Sequence, residues 1–286
     1  MTRAGYRLTV QEHDRDAAGL TYVYPVVARR ARGVSIGINL NTNDACNWRC
    51  VYCQVAGLTR GSAPPINLPL LERELRDFLQ EVVHGDFMQQ RVPPELRRLN
   101  DVAISGNGEP TSAREFPEVI QAIGRAMAVH DLVGRIKLVL ITNGSLVHQR
   151  RVQTGLSRMA ALNGEVWFKL DRASEAGIRA VNNTRTTMEK VLRNLRIAAG
   201  LCPTWIQTCV FGFDGAPPPE AELQIYLDCL AGLQAEGVPL RGVLLYGFAR
   251  RSYQPEAPRL SQLPESWLDA FAQRIKEKGL TVSVSP

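Results

Sequence analysis

The chain has 286 residues, 45% of them hydrophobic and 22% charged, which is enough apolar content for one large α/β core and too much for a disordered chain. Its net charge of +6 is a mild basic excess, compatible with ordinary solvated surface or with an anionic partner such as RNA or a nucleotide. No apolar run approaches a membrane span, and the opening MTRAGYRLTVQEHDRD has no apolar leader core, so a cytoplasmic protein with no membrane contact is expected.

Residues 1–32 read as an N-terminal extension, with 33–286 as one core domain. The extension carries Arg29, Arg30 and Arg32, and the run Thr21–Val27, whose Pro25 suits an edge strand. Apolar runs then recur at Val34–Leu40, Asp101–Ser105, Ile136–Thr142, Glu165–Leu170, Trp205–Phe211 and Val243–Tyr246, and a last strand is expected at Thr281–Ser285. Between them the spacing is helical. Leu68, Leu71, Leu75, Phe78, Leu79 and Val82 recur every three or four residues, as do Val119, Ile120, Ile123 and Met127. Further helices are expected near 146–161, 187–199, 220–235 and 264–278. Strands alternating with helices predict βαβ units and a parallel sheet, here a partial (β/α)6 TIM-like barrel. No linker divides the core; Ala216–Pro219 reads as a rigid turn.

In such a barrel the loops after the strands carry the chemistry. The first of these loops holds three of the six cysteines, Cys46, Cys50 and Cys53. Thiolates suit zinc or an iron–sulfur cluster. Structural zinc favours four ligands in two short pairs, and no second pair is present. Three inert buried cysteines fit poorly in the polar run NTNDACNWRCVYC. Three cysteines without a fourth would leave one iron of a [4Fe–4S] cluster open to a substrate. His84 and His130 fall in or near helices and read as surface residues.

The spacing CNWRCVYC resembles the CxxxCxφC signature of the radical S-adenosylmethionine (radical SAM) superfamily, φ being aromatic. The resemblance implies the radical SAM type of partial barrel. It also implies a [4Fe–4S] cluster on Cys46, Cys50 and Cys53, with S-adenosyl-L-methionine chelating the fourth iron and Tyr52 near the adenine. Reductive cleavage of S-adenosylmethionine would give a 5′-deoxyadenosyl radical that abstracts hydrogen from a substrate. A reductant protein of flavodoxin or ferredoxin type and oxygen sensitivity follow from the same chemistry.

Gly106, Asn107, Gly108 and Glu109 follow the second strand. Alone they read as a turn; in this setting they resemble the family's GGE loop for the methionine amino group, with Asn107 in place of the common glycine. Asn143 ends the third strand, where it reads as a turn; the resemblance implies instead a contact to the ribose hydroxyls of S-adenosylmethionine. Period two puts Trp167, Lys169 and Asp171 on the inward face of the fourth strand, where Lys169 and Asp171 form an ion pair or act on the substrate. Cys209 lies on one face with Gln207, as a small core residue or as a hydrogen-atom donor to the substrate.

The wider series SIGINL, CNWRCVYCQ, SGNGEPT, ITNG, KLD and YGFARR resembles the wyosine-synthase-like, tRNA-modifying group, with Asn39 where an acidic residue is expected. The expected function is a radical SAM enzyme acting on RNA, a nucleotide or another small polar molecule. The alternatives are a peptide- or protein-modifying radical SAM enzyme and a non-enzymatic, metal-binding RNA-binding module.

Overall fold

Each apolar run of the core domain becomes a strand whose side chains alternate between two environments. The computed structural model describes residues 8, 18–28 and 33–285; Arg29, Arg30 and Arg32 lie outside the described residues. Eight strands form one sheet: β1 (Val23–Ala28), β2 (Gly33–Ile38), β3 (Leu99–Ile104), β4 (Lys137–Thr142), β5 (Gly164–Lys169), β6 (Thr204–Val210), β7 (Leu240–Gly247) and β8 (Val282–Ser285). They lie side by side in chain order. All neighbours from β2 to β8 are parallel, and β1 pairs antiparallel with β2, placing Pro25 on an edge strand where a missing N–H is tolerated.

The helices that return the chain between these strands are α1 (Leu68–Val83), the short α2 (Phe87–Arg91), α3 (Phe116–Val129), α4 (Arg150–Ala161), α5 (Glu175–Asn182), α6 (Met188–Leu201), α7 (Glu220–Ala235) and α8 (Glu265–Lys276). The sheet is therefore an open, curled partial barrel of six βα units closed at one edge by β8. The apolar stripe of α1, from Leu71 to Val82, is buried in the main core. Asn67 starts that helix by accepting from the Leu70 N–H, and Pro69 occupies a first-turn position where its missing N–H costs nothing.

The alternation along β5 decides what faces the site. Val166, Phe168 and Leu170 are buried against the helices, while Glu165, Trp167 and Lys169 are half-buried on the other face. Truncating Phe168 to Ala would cost about 3–5 kcal/mol, because the cavity left cannot collapse between sheet and helix.

Two features depart from the sequence expectation. The β5–β6 crossover contains a second helix, α5, capped by Ser174 accepting from the Gly177 N–H at 2.8 Å and ended by Asn183 in the left-handed region. His130 is buried rather than on the surface: it follows the last turn of α3, and its Nε2 lies 3.1 Å from the Arg76 carbonyl. Among the described residues no helix is long and apolar enough to cross a membrane.

Candidate active site

The loop after β2 is held at both ends by elements distant in sequence. At its start Asn39 Oδ1 accepts from the backbone of Asn41 at 3.1 Å and of Asn107 at 3.0 Å. The Asn41 amide donates to the Ala45 carbonyl at 2.8 Å. Further on, Val51 N donates to the Val181 carbonyl at the end of α5, and Arg49 forms a bidentate pair with Glu256 at 2.7 and 2.8 Å. Ser252 Oγ donates to the Val51 carbonyl, and Tyr253 N to that of Cys53. These bonds satisfy a loop backbone that has almost no strand partners of its own.

Cys46, Cys50 and Cys53 are free thiols on the wall of one cavity of roughly 330 Å³ inside the barrel mouth. Burial pushes the Cys46 thiol up to about 12 and the Cys50 thiol up to about 11. Bound as thiolates they need a positive centre. Among the described residues no three His, Cys, Asp or Glu side chains converge as one metal ion would require.

The loop after β3 packs directly on the cysteine loop. A Cβ on Gly106, at φ +156°, would fall 2.3 Å from Asn39 Oδ1, and one on Gly108 would fall 2.0 Å from the Ala45 carbonyl oxygen. Glycine at these positions thus serves loop-on-loop contact, not only approach to a ligand. Asn107 Nδ2 donates to Asp44 at 2.5 Å. Glu109 is 2% exposed. Its Oε1 accepts from Thr111 N, Thr111 Oγ1 and Thr142 Oγ1, and its Oε2 only from Asn143 N at 2.7 Å. Burial raises its pKa against these four bonds. Oε2 keeps lone-pair capacity for an ammonium group. Asn143 in turn donates to Asn47 Oδ1 at 2.8 Å, tying the end of β4 to the cysteine loop. Gly106, Asn107, Gly108, Glu109 and Asn143 all line the cavity that the cysteines line.

Beyond β5 the two expected charges part company. Lys169 lines the cavity and donates to the hydroxyls of Tyr52 (3.1 Å) and Tyr246 (3.2 Å). Burial opposes its charge, but Tyr246, Asp171 and the neighbouring thiols outweigh that, and its pKa is raised. Asp171 lies behind Tyr52, 3% exposed and off the cavity wall. It accepts from Tyr52 Oη at 2.5 Å, Asn182 Nδ2 at 2.7 Å and Cys209 N at 2.9 Å. Lys169 and Asp171 are therefore joined through Tyr52, not as a contact ion pair. Cys209 is 1% exposed and packs with Val51, Tyr52, Val181 and Phe211, off the cavity wall, while Gln207 lines it.

Several residues of the site carry no signal in the sequence alone. Asn182 and Ser252 reach the cysteine loop only through folding. Deeper in the lumen, Ser35 donates to Asp101 and Trp167 Nε1 donates to Glu165 at 2.8 Å. Gln207 Oε1 is buried without a protein partner.

The molecule is an open parallel barrel with a three-cysteine loop after its first parallel strand. No family model matches the chain. It is 30% identical over 151 residues to a UPF0026 protein of Synechocystis, covering 52% of this chain and 48% of that one. It is 28% identical over 137 residues to a UPF0026 protein of Helicobacter pylori, covering 46% and 37%. The match thus spans less than half the length of these curated relatives. Among solved structures, TYW1 with a bound lysine–pyruvate adduct aligns at a TM-score of 0.56 and 14% identity, over 86% of this chain and 74% of that one. A radical SAM methyltransferase from Sphaerobacter thermophilus aligns at 0.58 and 15%, over 88% and 66%. These likenesses show the fold.

Proposed function

We propose that the chain holds a [4Fe–4S] cluster on Cys46, Cys50 and Cys53 and uses it to cleave S-adenosylmethionine for hydrogen abstraction from a polar substrate. The observation that carries this reading is that three free cysteines of one loop share a cavity with Glu109, Asn143 and Lys169. When bound, the reduced cluster would supply the electron that splits S-adenosylmethionine into methionine and a 5′-deoxyadenosyl radical, the electron coming from a flavodoxin- or ferredoxin-type protein.

The chain's own residues would divide the remaining work. Glu109 Oε2 would accept from the methionyl ammonium, a charge-assisted bond, and the strand-end Asn143 would face the ribose hydroxyls. Tyr52, fixed by Asp171, would border the adenine. The lumen below would take the substrate. Lys169 offers an ammonium to an anionic group, and Gln207 Oε1 offers an unused acceptor, so a substrate with both an anionic group and an N–H donor fits best. A nucleotide unit, free or within RNA, has both. A peptide substrate is the second reading, and an RNA-binding module without catalysis the third.

The test is anaerobic reconstitution followed by mass spectrometry. The expected result is roughly four irons and four sulfides per chain, with 5′-deoxyadenosine and methionine released on reduction. Tight stoichiometric zinc in protein prepared without oxygen, with no cleavage of S-adenosylmethionine, would refute the reading. A modified nucleoside recovered from RNA incubated with the enzyme would select the nucleotide class over the peptide class.

A further inference from the structure

Asn182 stands at the end of α5, 132 residues from Cys50, yet its Nδ2 lies 3.3 Å from the Cys50 Sγ. The same amide nitrogen donates to Asp171 Oδ2 at 2.7 Å, and the Asn182 carbonyl accepts from Arg49 N at 3.3 Å. The side chain is 1% exposed. The orientation of the amide is dictated by its neighbours, since the reverse one would set Oδ1 against the Asp171 carboxylate. A donor is thus held against one of the three cysteine sulfurs by a carboxylate that is itself anchored by Tyr52 and by the Cys209 backbone.

We infer that Asn182 is a positioning residue that raises the reduction potential of the cluster through an N–H···S hydrogen bond to Cys50. The inference rests on the cluster reading above. A hydrogen bond to a ligand sulfur places positive charge beside it and withdraws electron density from the thiolate, which favours the more negative, reduced cluster. Among the described residues, Cys50 is the one of the three cysteines that receives a side-chain donor from outside its own loop. Cys46 is approached by the backbone of Trp48, two residues along. The Tyr52–Asp171–Asn182 chain therefore links the proposed adenine side of the cavity to a ligand of the cluster, and its effect would be to ease the electron uptake that the chemistry requires.

The test is a redox titration, followed by electron paramagnetic resonance, of the anaerobically reconstituted full chain and of Asn182→Leu and Asn182→Ala. Both variants remove the donor, and Leu keeps the volume. With full iron content, each is expected to show about tenfold less reduced cluster at a given solution potential, a 59 mV fall in midpoint for a one-electron couple. An unmoved midpoint with full iron overturns this inference alone. Should both variants lose iron, pulsed spectroscopy of the reduced wild-type cluster in protein labelled with 15N-asparagine decides the matter. Hyperfine coupling to an amide 15N is expected, and its absence overturns the inference. A wild-type chain that takes up no iron overturns the cluster reading together with this one.

Discussion

The hydroxyl of Tyr52 donates to the Asp171 carboxylate at 2.5 Å and accepts from Lys169 at 3.1 Å. One tyrosine, adjacent to the third cysteine in sequence, thereby separates two charges that the strand period alone would bring together. Lys169 faces the cavity, and Asp171 is enclosed behind it. The two residues accordingly carry different expectations.

Lys169→Met should leave Asp171 with all three of its donors. The expected loss of stability is about 1.5–3 kcal/mol, since two hydrogen bonds from a charged donor are lost while the cost of burying the ammonium is relieved, less than the roughly 3–5 kcal/mol of a broken buried ion pair. Turnover on the true substrate should fall while cluster content stays normal. A thermal melt run beside an activity assay checks this, and a large drop in melting temperature with normal turnover would reverse the assignment.

Asp171→Ala should act in the opposite way. It strands Tyr52 Oη, the Cys209 N–H and the Asn182 amide in a buried setting, each unmet group costing about 1–3 kcal/mol. Loss of folded protein, or a urea midpoint far below wild type, is the expected outcome. Wild-type stability would show that water or neighbouring groups replace the carboxylate.

Glu109→Ala should weaken S-adenosylmethionine binding by about 1.5–3 kcal/mol, the range for a bond to a charged group. It should also lower stability, because Thr142 and Asn143 lose the acceptor that joins β4 to the glycine loop. Equilibrium dialysis and a melt measure the two effects separately. An unchanged affinity would remove Glu109 from the binding site.

Cys46, Cys50 and Cys53, changed singly to Ala, should each abolish the bound cluster, because no fourth cysteine lies on the cavity wall to replace a lost ligand. Iron and sulfide assays on reconstituted protein read the result. Retained iron in the triple variant would contradict the site.

Asp101 provides a pH test. Burial raises its pKa from 3.8 to about 6, Glu165 adding to the shift and the Ser35 hydrogen bond opposing it. A carboxyl with a raised folded pKa contributes its stability below the unfolded pKa and loses it as pH rises through the folded one. The loss is on the order of 3 kcal/mol, complete above about pH 6. Asp101→Asn should therefore gain stability over wild type at pH 8 and little or none at pH 4, measured by urea denaturation. A difference independent of pH would contradict this.

The sequence by itself determined the strand series, most of the helices, the cysteine loop and the strand-end placement of Glu109, Asn143 and Lys169. Those features are local: period-two and period-3.6 patterns, thiol spacing and turn glycines report short-range physics that one stretch of chain carries alone. The sequence also showed the inward face of β5, because Val166, Phe168 and Leu170 must be buried wherever Lys169 points. The tertiary structure alone decided which groups meet across long separations. It set Asn182 against Cys50, Ser252 against the cysteine-loop carbonyls, Asn39 against the glycine loop, and Tyr52 between Lys169 and Asp171. Helix α5, with eight residues, is too short to show a clear period, so neither it nor the Asn182 contact is visible in the sequence. Cys209 and Gln207 share a face in the strand pattern, yet only Gln207 reaches the cavity. Past mid-strand the barrel closes over Cys209 with Val51, Tyr52 and Phe211, and such three-dimensional crowding has no counterpart in the spacing of residues along a single strand.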